Sequence, residues 1–296
     1  MADLPIRSAE GWAEWAKQYH MPINFPSKHR WRRTVRATGR LDVAHRQAKS
    51  LLTAGWHPAD SAHGFVRRRS TMTAAAPHVG SKIVLAIDLA DFYGQVSFDR
   101  VSESLRAHFD ESTCAWIEGT CFLNGALPVG FRTSPVLSNR AFHEMDLELE
   151  SLARRNDVRY SRWVDDLIFS GDGVNDDLLE RLGEELSASG WSLNSAKTRF
   201  MRRSPYVLGL YVGHDADRPR LPRRMKQRLL VESYYFSKYG YAHFGHEGVM
   251  APGRLFGLAS YAKVADPELA KLLDVRIVEG YRVTRSQSAR SGARAR

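Results

Sequence analysis

The order of apolar and polar positions along the chain predicts helices interleaved with a few short strands. From Leu41 to Ala54 the apolar residues recur every three to four positions, which is typical of an amphipathic helix. The same spacing predicts helices over residues 10–20, 101–109, 176–189 and 267–278. The apolar run Ile83 to Ile87 predicts a buried strand, and residues 206–212 predict another. This order fits an α+β fold, with a central antiparallel sheet backed by helices.

Helix signals also surround a loop in the middle of the chain. Ser134 is the expected N-cap of a helix with Pro135 in its first turn, and apolar steps carry that helix to about Arg155. Residues 26–40 are basic and irregular or extended. The chain past Pro222 is helical and basic, and residues 285–296 form a basic tail that we expect to be disordered.

The charge of the chain is strongly positive and unevenly distributed. The formal net charge is +10 over 296 residues. From Lys28 to Arg69 there are eleven Lys or Arg against two acids, and from Arg218 to Lys238 seven against one. Any one such run could be a solvated face, but two basic blocks around an acidic centre favour a nucleic-acid partner. Neither block has a long apolar face and no run approaches eighteen apolar residues, so no membrane partner is expected.

The cysteines argue against a disulfide framework or a zinc site. Cys114 and Cys121 are seven positions apart, with no partner cluster of Cys or His. The first residues carry acids and lack the apolar core of a signal peptide, so the expected location is the cytoplasm.

Three aspartates lie at the end of a β-prone run or between two such runs. Asp165 and Asp166 are adjacent in RYSRWVDDLIFSG, and Asp88 directly follows Ile83 to Ile87. Asp is a favoured turn residue, so a simple hairpin turn explains the pair taken alone. Adjacent carboxylates are costly to bury without a cation, however, and three on one sheet suggest a metal site.

These residues belong to a set of ordered motifs through which the chain resembles bacterial reverse transcriptases, especially the retron and related phage-defence branches. The likeness covers roughly residues 28–275. The motifs, in chain order, are HGFVRRRS, IDLADFY, LPVGFRTSPVLSN, WVDD, GWSLNSAKTRF and YVLGLYV. The resemblance implies a right-hand polymerase fold. Residues 1–81 would form the N-terminal region and basic fingers, 82–212 the palm with a finger insertion, and 213–284 the helical thumb.

The resemblance also implies the roles of the catalytic residues. Asp88 would bind two Mg²⁺ ions, for which Mn²⁺ can substitute, Asp165 would be the second metal ligand, and Asp166 would be an auxiliary carboxylate. Lys197 would protonate or neutralise the departing pyrophosphate. Tyr93 would be the steric gate that excludes the ribose 2′-hydroxyl.

Other residues would contact the nucleotide or the primer and template. By analogy Arg67 and Arg69 would clasp the triphosphate, with template RNA as their alternative ligand, and Gly130 would lie in the nucleotide loop. Trp163 and Gly209 would contact the primer. Arg223, Arg224 and Lys226, interleaved with aromatic residues, suit a grip on a duplex or structured RNA, or else form the solvated face of a packed helix.

The chain departs from the family pattern at several positions. Val129 replaces a Gln that normally lies near the incoming nucleotide, and Trp163 replaces a Tyr. Arg68 replaces a Gly, Ala74 replaces an Asn, and Leu208 stands in the retron Val-Thr-Gly triplet. The polymerase motifs are thus kept while marks specific to retrons are altered.

The expected function is RNA-directed DNA synthesis on a noncoding RNA template, with dNTPs as substrates and DNA as primer and product, in an antiphage system. An effector protein and a host ribonuclease H are further partners that this reading allows. An untemplated or protein-primed DNA polymerase is the first alternative, and a non-catalytic RNA-binding module is the second.

Overall fold

The computed structural model describes residues 8–26 and 31–294, so Lys28, Arg30 and residues 295–296 lie outside the described part. The α-helices are α1 Ala9–Lys17, α2 Gly39–Thr53, α3 Thr71–Ala75, α4 Asp99–Arg106, α5 Glu111–Cys121, α6 Ser134–Ala141, α7 His143–Arg155, α8 Asp176–Ala188, α9 Arg223–Tyr239, α10 Pro252–Ala265 and α11 Pro267–Arg294. The strands are β1 His20–Pro26, β2 Trp31–Ala37, β3 Val84–Asp88, β4 Arg159–Trp163, β5 Asp166–Ser170, β6 Arg199–Met201, β7 Tyr206–Val207 and β8 Leu210–Tyr211.

The chain divides into two compact units. The first contains residues 1–77 and 83–202, and the second contains residues 78–82 and 203–296. The finer assignment of fingers, palm and thumb to residue ranges stays a prediction.

An antiparallel sheet organises the first unit. Within the described residues its strand order is β4-β5-β3-β6, and β1 and β2 form a separate antiparallel hairpin. Strand β3 reads VLAID and is buried along nearly its whole length, because both of its neighbours and the helices cover it. This mixture of helices with an antiparallel sheet confirms the α+β class.

Helices α2 and α4–α8 contribute apolar side chains to one large core against the sheet. Both cysteines belong to it, since Cys114 is 1% exposed and Cys121 is fully buried, and each is a free thiol. Burial raises the pKa of the Cys121 thiol to about 11. A separate cluster of Trp12, Trp15 and neighbouring residues packs α1 against the start of α2.

The second unit is built around the long helices α9 and α11. The ring of Phe236 contacts the rings of Tyr241, Phe256 and Tyr281. Gly280 lets the two helices approach closely, because a Cβ at that position would lie 2.4 Å from the Phe236 ring. No helix in the described ranges combines the length and apolarity needed to cross a bilayer.

The structure corrects several boundaries. The helix expected from Ser134 to Arg155 is two helices, because Phe142 leaves helical geometry at φ −100°, ψ 3°. Thr133, not Ser134, is the N-cap, and the Ser134 hydroxyl instead donates to the Pro128 carbonyl at 2.7 Å. Residues 31–37, expected to be irregular or extended, are extended and form β2, in agreement with the expectation.

The C-terminal part differs more. Residues 206–212 form a hairpin of two short strands rather than one strand, because Leu208 and Gly209 have φ values of 50° and 81° and reverse the chain. The tail expected to be disordered from residue 285 is helical to Arg294, as a continuation of α11. The sequence has neither Gly nor Pro at residue 285, so no residue there ends the helix.

Candidate active site

Two aspartates face each other across neighbouring strands. Asp88 ends β3 and Asp166 begins β5, and they are direct partners in the antiparallel register. Trp163 pairs with Asp166, so Val164 and Asp165 are the two residues of the β4–β5 turn. The Leu89 amide donates to the Asp165 carbonyl at 2.9 Å and ties this turn to the end of β3. Asp165 therefore lies in a hairpin turn and Asp166 begins the strand that follows it, and the register places Asp166 beside Asp88.

Val164 holds the turn in an unusual conformation. Its φ is 61°, a region that β-branched residues rarely adopt and that costs about 1–3 kcal/mol. The Arg162 guanidinium donates to the Val164 carbonyl at 3.0 Å. A Cβ on Gly64 would lie 2.7 Å from the Val164 nitrogen, so glycine lets the preceding loop pack directly on the turn.

This loop, which carries the HGF motif, is also hydrogen-bonded to β4 and to α6. The His63 amide donates to the Arg162 carbonyl at 2.8 Å, and the Asn139 side chain donates to the Gly64 carbonyl at 3.0 Å. Burial, with the nearby Arg69 and Arg162 charges, lowers the pKa of His63 to about 4, so its ring is neutral at pH 7. The motif supports the turn of the site.

A buried ion pair anchors the same hairpin. Arg162 is 0% exposed and donates to Asp146 on α7 at 2.8 and 2.6 Å. The Tyr160 hydroxyl donates to the same carboxylate at 2.8 Å, and Arg162 also donates to the side-chain Oδ1 of Asn139 at 3.1 Å. Every member of this network is hydrogen-bonded, which fixes the strand that leads into the acidic turn.

The carboxylates of the site influence one another. Burial, together with the negative charges of Asp165 and Asp88, raises the pKa of Asp166 to about 6. Lys197 compensates part of this charge, because its ammonium lies 2.8 and 3.0 Å from the two carboxylate oxygens of Asp88. The Asn194 side chain donates to the Asp88 carboxylate at 3.1 Å, and the Asn194 backbone N–H donates to the Asp88 backbone carbonyl at 2.8 Å.

The donor chemistry of the three aspartates fits a hard divalent cation, which prefers carboxylate oxygens. Burial first, and then the negative charges of Asp165 and Asp88, raise the pKa of Asp166, so a bound cation would relieve both effects. As arranged, however, no three His, Cys, Asp or Glu side chains in the described ranges form a group that could hold a metal ion. The Lys197 ammonium is paired with the Asp88 carboxylate, so a metal ion that binds Asp88 would have to displace it.

Tyr93 lies five residues after Asp88, half-buried beside the core. Burial raises the pKa of its phenol to about 12, which keeps the hydroxyl protonated. Gly130, at φ 110°, packs against β2, where a Cβ would lie 2.6 Å from the Val35 carbonyl oxygen. Val129 beside it is 51% exposed.

The two arginines predicted to clasp a triphosphate have different surroundings. Arg67 is exposed. Arg69 donates to the carbonyls of Ala59 and Ala62, both at 2.5 Å, and lies 3.4 Å from the Asp60 carboxylate. Its guanidinium is thus engaged in closing its own loop. Arg68 replaces a family glycine at φ 64°, which gives a physical reason why glycine is usual there.

The residues predicted to grip primer and template fall in both units. Trp163 is in the first unit, half-buried at the end of β4. Gly209 in the second unit has open space around its Cβ position, so positive φ and not close approach requires glycine there. Arg223 and Arg224 are exposed at the start of α9, whereas Lys226 lies 2.5 Å from the Asp266 carboxylate.

Sequence reasoning missed the residues that hold the site together. The sequence patterns give no role to Arg162 or Asp146, and they place Asn139 and Gly64 only within motifs, without a supporting role. One signal existed, since an arginine inside an apolar strand needs a buried acidic partner.

These features define a protein of the right-hand polymerase class, with an acidic hairpin on an antiparallel sheet. A solved telomerase from Candida albicans, in complex with a TWJ fragment of telomeric RNA, has a TM-score of 0.52 and 11% identity to this chain. The match covers 89% of this chain and 60% of the telomerase, and it confirms the right-hand polymerase fold.

Sequence comparison gives the family. The family model described as reverse transcriptase (RNA-dependent DNA polymerase) matches residues 28–212, so the chain belongs to the reverse transcriptase family. The Retron Mx65 reverse transcriptase of Myxococcus xanthus is 34% identical over 268 residues, covering 79% of this chain and 58% of the relative. The Retron Mx162 reverse transcriptase of the same organism is 30% identical over 255 residues, covering 74% and 52%. The chain thus spans a little over half the length of these relatives.

Proposed function

We propose that this protein is an RNA-directed DNA polymerase that extends a DNA primer on an RNA template. The observation that carries the proposal is the pairing of Asp88 with Asp166 across β3 and β5, with Asp165 in the adjoining turn. Extension of a DNA primer on an RNA template, with dNTPs and Mg²⁺, is the direct test. Absence of extension on every primer and template offered would contradict the proposal.

The three aspartates would hold two divalent ions, with Mg²⁺ as the ion that their hard oxygens favour. When bound, these ions would stabilise the attacking and leaving oxygens of the phosphoryl transfer. In the reaction the primer 3′-hydroxyl attacks the α-phosphate, loses its proton, and forms the new P–O bond as the bond to pyrophosphate breaks. The protein would contribute mainly positioning and charge stabilisation.

Lys197 would deliver the proton that pyrophosphate takes up on leaving. Its side chain is 59% exposed, so it can turn from Asp88 towards a bound nucleotide. We expect Lys197→Gln to lower kcat by about 10²-fold, the lower range for loss of a general acid, with little change in the KM for dNTPs. Single-turnover primer extension measures the effect.

Lys49→Gln is the matched control. Lys49 is an exposed lysine on α2, and its substitution removes the same charge. Equal rates for Lys197→Gln and Lys49→Gln would remove Lys197 from the catalytic set.

Tyr93 would select deoxynucleotides by its bulk. We expect Tyr93→Ala to raise the efficiency of ribonucleotide incorporation by at least about tenfold relative to deoxynucleotides, because steric selection in a pocket has roughly this size. Tyr93→Phe keeps the ring and should keep the selection. Incorporation assays with each dNTP and its ribonucleotide give the ratio, and unchanged selection in Tyr93→Ala would assign the gate elsewhere.

The relatives are named as retron reverse transcriptases, and we infer from this that a structured noncoding RNA is the template. A role in antiphage defence, with an effector protein and a host ribonuclease H that removes the template, belongs to the same proposal. Sequencing of the nucleic acid that copurifies with the protein tests it. Recovery of no specific RNA would count against a dedicated template.

Untemplated or protein-primed synthesis is the second candidate. It is favoured by two departures at the site, the apolar Val129 in the nucleotide loop and Trp163 at the end of β4. Incubation with dNTPs and no added primer, followed by product sequencing, separates the two functions. A product complementary to bound RNA supports the first, and a product without a template supports the second.

A further inference from the structure

A cavity of about 500 Å³ opens beside Tyr93. One wall consists of the β1–β2 hairpin, which contributes Pro22 and Asn24, and another is the loop with Val129. Asp91 and Tyr93 line the same space. A smaller cavity of about 220 Å³ has Ile23, Arg36 and Arg132 in its lining.

The hairpin is attached firmly to the nucleotide loop. The Val35 amide donates to the Val129 carbonyl at 3.1 Å, and the Thr34 hydroxyl donates to the same carbonyl. Gly130 allows this contact, because any side chain there would collide with β2. The hairpin is therefore a fixed wall of the cavity.

The strand alternation places particular side chains towards the cavity. Pro22 and Asn24 share one face of β1, since side chains two apart in a strand point the same way. Met21 and Ile23 lie on the opposite face. Asn24 is thus the amide that β1 directs at the Tyr93 cavity.

The lining chemistry suits a neutral, hydrogen-bonding group. The Asp91 carboxylate disfavours phosphate in this cavity. Val129 presents an apolar side chain, so the loop contributes no side-chain hydrogen bond. An Asn amide both donates and accepts, which matches the hydroxyl and ring oxygen of a deoxyribose.

We propose that Asn24 is a nucleotide-binding residue whose amide hydrogen-bonds the sugar of the incoming deoxynucleotide, at the position where Val129 offers no polar group. This inference rests on the proposed polymerase function. It assigns a role to a residue of β1. This strand ends before residue 28, where the match to the family model begins.

The first test is Asn24→Ala in steady-state primer extension. Loss of one hydrogen bond predicts a rise in KM of about three- to tenfold for each of the four dNTPs, with kcat nearly unchanged. Met21→Ala is the matched control, because Met21 is 50% exposed on the other face of the same strand. Three results overturn the proposal. The KM of Asn24→Ala is unchanged, the KM of Met21→Ala rises by the same factor, or the KM of Asn24→Ala rises for only one of the four dNTPs.

The second test asks whether positions 24 and 129 serve the same contact. Val129→Gln in the Asn24→Ala background should restore most of the KM, so the two substitutions should be non-additive. Strict additivity would show that Asn24 acts independently of the loop and would overturn the shared role.

Direct binding separates this inference from the polymerase function. Titration of dGTP with Ca²⁺ into wild-type protein and Asn24→Ala measures affinity without turnover. An inactive wild-type protein that still binds dGTP more tightly than Asn24→Ala contradicts the polymerase proposal and supports the role of Asn24. Equal affinities overturn the role of Asn24, whatever the activity.

Discussion

Asp165→Asn and Asp88→Asn should each lower the rate of primer extension on the order of 10³-fold, the largest effect on activity that we expect from any single substitution. Both changes keep the shape of the side chain and remove the charge that would hold a divalent ion. Asp166→Asn should cost less, because Asp166 is predicted to be the auxiliary carboxylate. Single-turnover extension with saturating dNTP and Mg²⁺ measures all three.

The folded state should tolerate these substitutions. Asp166 is held among like charges, and neutralising it removes that repulsion, so Asp166→Asn should raise Tm in EDTA. Asp172→Asn is the matched control, since Asp172 is exposed just beyond β5. Full primer-extension activity in Asp165→Asn, with Tm unchanged, would exclude the acidic hairpin as the reaction centre. Unchanged biological activity in the double variant Asp165→Ala/Asp166→Ala would instead revive the non-catalytic RNA-binding alternative.

Asp146→Ala should produce the largest loss of stability, about 3–5 kcal/mol in the free energy of unfolding. The substitution leaves Arg162 charged and fully buried without its carboxylate. It also removes the acceptor of the Tyr160 hydroxyl. Urea unfolding monitored by tryptophan fluorescence measures the change.

Glu148→Ala, an exposed position on the same helix, should change stability by no more than about 0.5 kcal/mol. The double variant Asp146→Leu/Arg162→Met should be more stable than Asp146→Ala, because no unpaired charge remains. It should still lose activity, since the Val164 carbonyl loses its donor. A double variant with wild-type activity would show that Arg162 serves stability alone.

The parts of the fold that sequence predicted are those set by local patterns. The apolar run before Asp88 can satisfy its backbone and side chains as a buried strand, and β3 is found there. The β-prone residues on both sides of Asp165 and Asp166 gave the hairpin. The break at Phe142 was missed because apolar spacing continues across it, and periodicity does not report one non-helical residue.

The support of the site depends on partners distant in sequence, which no local pattern identifies. Asp146 and Arg162 are sixteen residues apart, and each resembles an ordinary charged position until α7 packs on β4. Arg69 is predicted to bind the triphosphate by analogy with the family, and Lys226 is predicted to grip nucleic acid because basic and aromatic residues alternate there. The structure gives both of them acceptors or acidic partners within the protein.

The burial of both thiols has a practical consequence. Cys114 and Cys121 are inside the core, and burial raises the pKa of each, so neither presents a reactive thiolate to alkylating dyes at neutral pH. The two cysteines of this sequence should therefore react little with maleimide reagents in the folded state. A single cysteine placed on an exposed position would carry a fluorophore or a crosslinker without prior removal of the native cysteines.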